Sequence, residues 1–561
     1  MATLPEKHAS HHSATALRRE PRLCNPFPAT GAAALPSAGV GLRRRILILL
    51  CAGLFAGCVD NPVTGEREIG FVSVERQIAI GEQQYLPAQQ SQGGRYRVDP
   101  ALTEYVQSVG ARMAAASGVN LPYEFVVLNN DVPNAWALPG GKIAVNRGLL
   151  TELGNEAELA AVLGHEVVHA AGRHGAQAME RGVLTQVAVL GAAIGGARSE
   201  YGQLVVGAAA TAAALVTQRY GRDAEREADL YGTRYLARAG YDPQAAVTLQ
   251  ETFVRLSEGR KSSWLEGLFA SHPASAERVE NNRTIVAALR AEGFDGGELG
   301  ADRYARALAP LREDADAYAA AAEARKAITD DRLEEAEALT RKALSLQDGE
   351  AAFHGLLGDV QRLSRRWRGA ADAYAEAIAI EPDYFAFYLG RGVSQSRLGD
   401  RAAARADFER SLKLLPTALA FHELAQMAEQ DGDLDRAYRY YQAAAESNST
   451  VGRAASVGAM RLDLPRNPSR YLEARVQRDG RGRLLLGVRN PTTVAVADVA
   501  VRVQVQDTTG RVSEGTRRLV GVAAGSEEWI LLAADASAVQ DARAAVVAAR
   551  VVETTDGSRG Y

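Results

Sequence analysis

The 561-residue sequence predicts a multidomain chain: a mainly α domain built on one histidine-bearing helix with a small sheet, then an α-solenoid, then a C-terminal β-sandwich. Three observations predict it. His165-Glu166-x-x-His169 lies inside an apolar helical segment, small residues recur at intervals of 34 between about 314 and 447, and past Pro465 the helical period gives way to alternation. At about 100–200 residues per domain the length holds three or four such units. The expected boundaries are 1–57 for an N-terminal extension and signal segment, 58–300, 312–462 and 466–561.

Composition narrows the function classes. A net charge of −4 with no basic domain excludes a nucleic-acid binder. Hydrophobic residues reach 47% and aromatic ones only 6%, so Ala, Val and Leu dominate, which favours helical packing. The three cysteines, Cys24, Cys51 and Cys58, all lie in the first 58 residues. The rest of the chain therefore holds neither an internal disulfide nor a thiolate metal site, and any metal falls to His, Asp or Glu.

At the N-terminus, Arg43, Arg44 and Arg45 precede an apolar run over 46–55 that ends in Ala56, Gly57 and Cys58. A run of about 10 residues suits a secretion signal and is short of the ~20 needed to span a bilayer. Leu54-Phe55-Ala56-Gly57-Cys58 resembles a bacterial lipobox, in which the cysteine is lipidated and becomes the first mature residue; Phe55 departs from the small branched aliphatic usual there. Val59, a non-acidic follower, resembles lipoproteins sorted to the outer membrane. Residues 1–42, with His8, His11 and His12, read as an unstructured tract that leaves with the signal.

Helices are expected over 77–85 and 100–116 and an extended run over 123–128. Pro139-Gly140-Gly141 then turns into a strand carrying Ile143 and Val145. A helix over 156–174 follows, then two Ala/Gly/Val-rich stretches, 183–194 and 204–216, too short to span a membrane and expected to be buried or to cover a cleft.

Ala336, Ala370 and Ala404 stand 34 apart, as do Ala343, Ala377 and Ser411, and Pro382 and Pro416; Ala437 and Ala444 follow at 33. This is the period of the tetratricopeptide repeat, in which small residues let paired helices stack. Gly358 and Gly392, with Ala324 and Ala425 in the outer units, fill the small position of the first helix. After Pro465, strands are expected over 483–488, 499–505 and 529–532, separated by Gly, Asp, Asn and Pro turns. That pattern fits a small β-sandwich without a chemical site of its own.

The chemistry lies in Gly164-His165-Glu166-Val167-Val168-His169. Four residues advance a helix by ~400°, so both histidines leave one face, one turn apart, and reach one ion. Glu166 lies beside that face, where its carboxylate takes a proton from water instead of binding metal. Neutral imidazoles suit zinc, which with three protein ligands and an open fourth position lowers the pKa of bound water to ~7. The third ligand belongs in the stretch 222–229. There Arg222, Glu225 and Asp229 converge on one helical face and Glu227 points away; spacing leaves the choice between Glu225 and Glu227 open.

HExxH followed 56 residues later by Glu225-x-x-Ala228-Asp229 resembles the gluzincin zinc metallopeptidases of the HtpX and CAAX prenyl-protease family. The resemblance covers about 61–282 and implies a zincin metalloprotease domain. It makes Glu225 the third zinc ligand beside His165 and His169, with Asp229, and Arg222 on the same face, orienting a ligand histidine. The run 134–141 with 143–146 resembles the family's strand beside the catalytic cleft. It implies an edge strand whose Gly141, Ile143 and Val145 pair with an extended substrate. Ser271-His272-Pro273, with Arg278, resembles the family's His-Pro segment, which implies that His272 either stabilises the oxyanion or caps zinc in a latent state. His174, ~140° around the helix from His169, is expected to orient or pack. His354 and His422 are expected to be ordinary residues of repeat helices.

The expected function is a zinc-dependent endopeptidase of the bacterial cell envelope, with one zinc per chain. It would sit on the periplasmic face of the outer membrane by a lipid on Cys58 and degrade misfolded or stalled polypeptides. The repeats would receive substrate or outer-membrane assembly machinery. The alternative is a repeat-based chaperone or assembly adaptor whose zinc site is latent.

Overall fold

The computed structural model describes residues 58–188, 211, 214–216, 220–259, 272–533 and 536–552. The signal segment, Ser271, and most of 189–194 and 204–213 within the two small-residue stretches lie outside the described residues.

A two-stranded ribbon opens the described chain, β1 (Cys58–Asp60) pairing antiparallel with β2 (Arg67–Ile69). Helix α1 (Val74–Ser91) starts where Ser73 accepts the Arg76 N–H, and α2 (Pro100–Ser117) where Asp99 caps and Pro100 needs no donor. Next come β3 (Glu124–Leu128), β4 (Ala135–Leu138) and β5 (Lys142–Asn146), which form one sheet in the order β3-β5-β4. Strand β5 pairs parallel with β3 and antiparallel with β4. Both sheet faces are covered. Phe125, Val127, Ala137, Ile143 and Val145 enter the main core; Val126, Trp136, Leu138 and Ala144 pack on the other side with Tyr85, Ala88, Leu215 and Val216.

The central place of β5 corrects an expectation. Gly141, Ile143 and Val145 were expected on an edge strand open to substrate, but β5 is paired along both sides, and Ile143 and Val145 are buried. A strand with two hydrogen-bonded neighbours has no free backbone edge to offer. The edge strand beside the histidine helix is β4.

After the short α3 (Arg147–Leu150), helix α4 (Glu156–Ala171) carries the HExxH pattern, its N-terminus capped by Asn155 accepting the Glu158 N–H. Its core-facing Leu159, Ala160, Leu163 and Val167 are fully buried. It ends earlier than expected. Gly172 closes it, Arg173 adopts a positive φ of 62°, and α5 (His174–Ala188) starts in a new direction. Helices α6 (Arg222–Arg238) and α7 (Gln244–Gly259) then pack against α4, and α8 (Ala276–Ala291) packs on α6 and α7.

From α9 (Ala301–Glu313) the chain runs through helix pairs: α10 (Ala315–Thr329) with α11 (Leu333–Leu346), α12 (Ala351–Leu363) with α13 (Trp367–Ile380), α14 (Phe385–Leu398) with α15 (Arg401–Leu414), and α16 (Ala418–Gln430) with α17 (Leu434–Ala445). Second helices begin at Leu333, Trp367, Arg401 and Leu434, intervals of 34, 34 and 33. The repeated alanines are the contact points: Ala336, Ala343, Ala370, Ala377, Ala404, Ala437 and Ala444 are completely buried. The expected boundary between 300 and 312 falls inside a continuous core, since Tyr304, Leu308, Tyr318 and Phe353 share one cluster with the α4 residues.

Helix α18 (Thr450–Asp463) leads into six strands: β6 (Glu473–Arg478), β7 (Leu484–Arg489), β8 (Val496–Asp507), β9 (Val512–Val522), β10 (Glu527–Ala533) and β11 (Val539–Val551). They make two antiparallel three-stranded sheets, β10-β7-β6 and β11-β8-β9. Leu486 and Val488 of one pack with Val499, Val501 and Val546 of the other. The expected runs fall on β7, β8 and β10 and miss β6, β9 and β11, whose residues are mostly exposed; the first seven of β9 present no apolar face. Among the described residues no helix is long and apolar enough to cross a membrane.

Candidate metal centre

Helix α4 delivers His165 and His169 from one face, their Nε2 atoms 3.0 Å apart. Helix α6 crosses α4 closely because two glycines meet: a Cβ on Gly232 would stand 3.1 Å from the His165 backbone nitrogen, and one on Gly164 would stand 3.3 Å from the Gly232 carbonyl oxygen. This contact sets α6 so that Glu225 faces both imidazoles, with Oε1 3.4 Å from His169 Nε2 and Oε2 3.5 Å from His165 Nε2. Glu227 lies on another side of α6. Of the two glutamates that spacing left open, Glu225 is the one that lies against the histidine pair, and Glu227 lies against His174.

His272, 107 residues after His165, completes the group: its Nδ1 is 2.9 Å from Glu225 Oε1 and 3.3 Å from His165 Nε2. Four potential ligand atoms, from His165, His169, Glu225 and His272, lie within 4.8 Å of one another. Glu166 stands beside them, its Oε1 3.5 Å from His272 Nε2. Its Oε2 is buried without a hydrogen-bond partner among the described residues.

Around these atoms, a further set of side chains fixes orientation. His165 Nδ1 is 3.1 Å from Asp229 Oδ1, and Asp229 is held by Arg278 of α8. Arg278 also places Nη1 3.2 Å from Glu225 Oε2. Here the expectation for Arg222 is corrected: it is the first residue of α6 and exposed, and the guanidinium that meets Asp229 and Glu225 belongs to Arg278. His174 is also nearer than a continuous helix would allow. The break at Gly172 and Arg173 turns it back so that its Nδ1 is 2.8 Å from His169 Nδ1.

Tyr220, just before α6, stacks on His169 with ring centroids 4.0 Å apart and planes at 18°. Its hydroxyl reaches the Ala137 carbonyl oxygen on the edge strand β4 at 3.5 Å. Nothing in the local sequence marks Tyr220, because its role follows from where α6 begins relative to α4. His354 is half-buried, near the Asp348 carbonyl oxygen, and His422 is buried in a repeat helix.

The electrostatics follow from burial and pairing. Burial resists charge on His165, yet hydrogen bonds to Asp229 and Glu225 overcome it and bring its pKa up to about 9. His169 is pushed well below the usual histidine range, chiefly by burial. Burial would raise Glu225 and Asp229, but the surrounding histidines and Arg278 hold both below the usual carboxylate range. Glu166 is raised by burial, the direction expected of a carboxylate that exchanges protons near neutrality. Two imidazoles and an anionic carboxylate converging in a buried site, with a third imidazole beside them, match the N/O donor set of a divalent transition metal. The residues therefore fit a metal.

Residues 100–286 match the model of peptidase family M48. The chain is 32% identical over 250 residues to the beta-barrel assembly-enhancing protease of Escherichia coli (strain K12), covering 43% of this chain and 50% of that protein. It is 32% identical over 203 residues to the metalloprotease LoiP of Escherichia coli (strain K12), covering 36% of this chain and 77% of that protein. Among solved structures, pilF of Pseudomonas aeruginosa aligns with 38% of this chain and 82% of its own, at 19% identity and a TM-score of 0.26. The chain spans half the length of the beta-barrel assembly-enhancing protease it matches.

Proposed function

The chain belongs to peptidase family M48, and from that premise we propose that it is a zinc-dependent endopeptidase of the bacterial cell envelope that hydrolyses misfolded or stalled envelope polypeptides. The convergence of His165, His169, Glu225 and His272 ligand atoms within 4.8 Å, with the Glu166 carboxylate alongside, carries the reading. A single zinc held by His165, His169 and Glu225 supplies Lewis acidity toward a peptide carbonyl and lowers the pKa of water to about 7. Glu166 accepts the proton of the attacking water and returns it to the leaving amine, a role served by its Oε2, buried without a hydrogen-bond partner among the described residues. Asp229 and Arg278 hold the His165 ring, so that Nε2 is presented toward the site. Substrate backbone is received along the β4 edge, where Tyr220 now lies on Ala137.

In this proposal the chain is held at the periplasmic face of the outer membrane by a lipid on Cys58. Its repeat helices receive unfolded envelope polypeptides or outer-membrane assembly machinery. A second reading, a repeat-based adaptor with a latent site, is favoured by one observation: His272 Nδ1 stands within the ligand group, where a fourth ligand would close the site.

A Glu166→Gln variant tests the function. It is expected to keep zinc by elemental analysis and to lose cleavage of an unfolded protein; undiminished cleavage would refute the endopeptidase reading. A Glu225→Ala variant is expected to lose its zinc, and equal zinc in both proteins would overturn the ligand assignment.

A further inference from the structure

The ring nitrogen of His169 that faces away from Glu225 begins a connected set of contacts that ends just behind Cys58. His169 Nδ1 is 2.8 Å from His174 Nδ1. His174 Nε2, which has no better-placed partner among the described residues, stands 3.3 Å from Glu227 Oε1. Asn61 Nδ2 donates to the same Glu227 oxygen at 3.2 Å and to Glu68 Oε1 at 2.8 Å. Asn61 is completely buried, and its remaining polar atoms build the turn between β1 and β2: Oδ1 accepts the Val63 and Thr64 N–H groups, and its carbonyl accepts the Gly65 N–H. The segment is tied down further along. Gln177 donates to Glu68 Oε2 at 2.6 Å, and Glu180 accepts the Phe71 and Val72 N–H groups at 2.8 Å.

Chemistry orders the protons in this series. If His169 presents Nε2 to a metal, its Nδ1 carries the hydrogen and donates to His174 Nδ1. His174 then carries its hydrogen on Nε2, facing the Glu227 carboxylate. The backbone is shaped around the same groups. A Cβ on Gly172 would stand 2.9 Å from Glu227 Oε1 and 3.1 Å from His174 Nε2. Arg173, buried, holds a left-handed φ of 62° that ordinary side chains disfavour, and this break is what turns His174 toward His169. A network present only for packing would not need a strained arginine to aim one imidazole at another.

We propose that His174, Glu227 and Asn61 are positioning residues for the metal ligand His169, and that the turn three residues behind Cys58 is thereby an integral part of the metal centre. The proposal rests on the metal-centre reading above. It gives a function to a segment, 61–68, outside the residues that match the family model, and it couples the first described residues of the chain to the metal centre.

The test uses the full chain loaded with zinc, competed against a chelator, and the same protein loaded with cobalt(II), whose visible absorption reports ligand geometry. Asn61→Asp keeps the oxygen that builds the turn and removes the donor to Glu227. Glu227→Ala removes the acceptor, and Glu227→Gln retains one. Asn61→Asp and Glu227→Ala are expected to hold zinc about 10- to 100-fold more weakly, the usual effect of losing an outer partner of a ligand histidine, and to shift the cobalt spectrum. Glu227→Gln is expected to restore most of both. Wild-type zinc affinity and an unchanged cobalt spectrum in Asn61→Asp and Glu227→Ala would overturn the proposal while leaving the metal centre standing. So would a loss of affinity matched by an equal fall in the melting temperature of the metal-free variants, which would assign the network to folding. A wild-type chain that binds no metal would overturn both readings together.

Discussion

Arg278 grips Asp229 through two parallel hydrogen bonds, Nε to Oδ2 at 2.9 Å and Nη2 to Oδ1 at 2.7 Å. The pair is buried, and Asp229 in turn meets His165 Nδ1, so this fork sets the orientation of a candidate ligand from the ring nitrogen opposite its Nε2. Lysine cannot reproduce a two-pronged contact. Arg278→Ala leaves the buried Asp229 carboxylate without its guanidinium partner, and is expected to cost about 3–5 kcal/mol of stability. Arg278→Lys is expected to recover part of that stability but not the zinc affinity. Urea unfolding and chelator competition measure the two effects separately.

The crossing of α4 and α6 depends on Gly232, where an added Cβ would press on the His165 backbone at 3.1–3.2 Å. Backbone cannot move aside as a flexible side chain does. Gly232→Val is expected to destabilise by about 1–3 kcal/mol and, by moving α6 outward, to draw Glu225 from the histidine pair. Thermal unfolding with and without zinc checks this: the variant should gain less from added zinc than the wild type does.

His272 reaches both Glu225 and Glu166 and stands among the ligand atoms. Its removal opens the position it fills. His272→Ala is expected to retain zinc on the three remaining ligands and to cleave an unfolded protein several-fold faster than the wild type. A fall in cleavage with zinc retained would instead assign His272 to the oxyanion.

A pH effect is expected far from the metal. Glu381, buried at the end of α13, has its pKa pushed up to about 8, first by burial and then by the nearby Glu350, against the pull of Arg97 3.6 Å away. The folded value lies above the ordinary 4.5, so between them the native chain holds a proton that the unfolded chain has released. Glu381 therefore contributes stability fully below about pH 4.5, and loses it as pH rises through about 8. Glu381→Gln is expected to flatten the pH dependence over this window. It should also unfold at higher temperature than the wild type at about pH 8, as calorimetry at several pH values would register.

The features legible in the sequence are those with a local period. His165, Glu166 and His169 share a helix, and the 34-residue spacing of alanines marks contact points that are indeed fully buried. The strands 124–128, 484–489 and 527–533 show as alternating or continuous apolar runs. Strand β9, with its exposed first half, does not. The helix expected to reach 174 stops at 171, because propensity does not register that Arg173 is held in a left-handed conformation by surrounding contacts.

By itself, then, the sequence determined which residues could bind a metal and which helical face each occupies, since both follow from residue chemistry and a 3.6-residue turn. Tertiary structure decided how each helix is rotated when it docks and which strands pair. Rotation of α6 about the Gly164–Gly232 contact puts Glu225 on the histidines and Glu227 on His174. Pairing on both sides of β5 closes the edge that Ile143 and Val145 were expected to offer and leaves β4 at the margin. Asn61 meets Glu227 across 166 residues, His272 meets His165 across 107, and Arg278 meets Asp229 across 49. Contacts at such separations come from the packing of whole elements and leave no periodic trace along the chain.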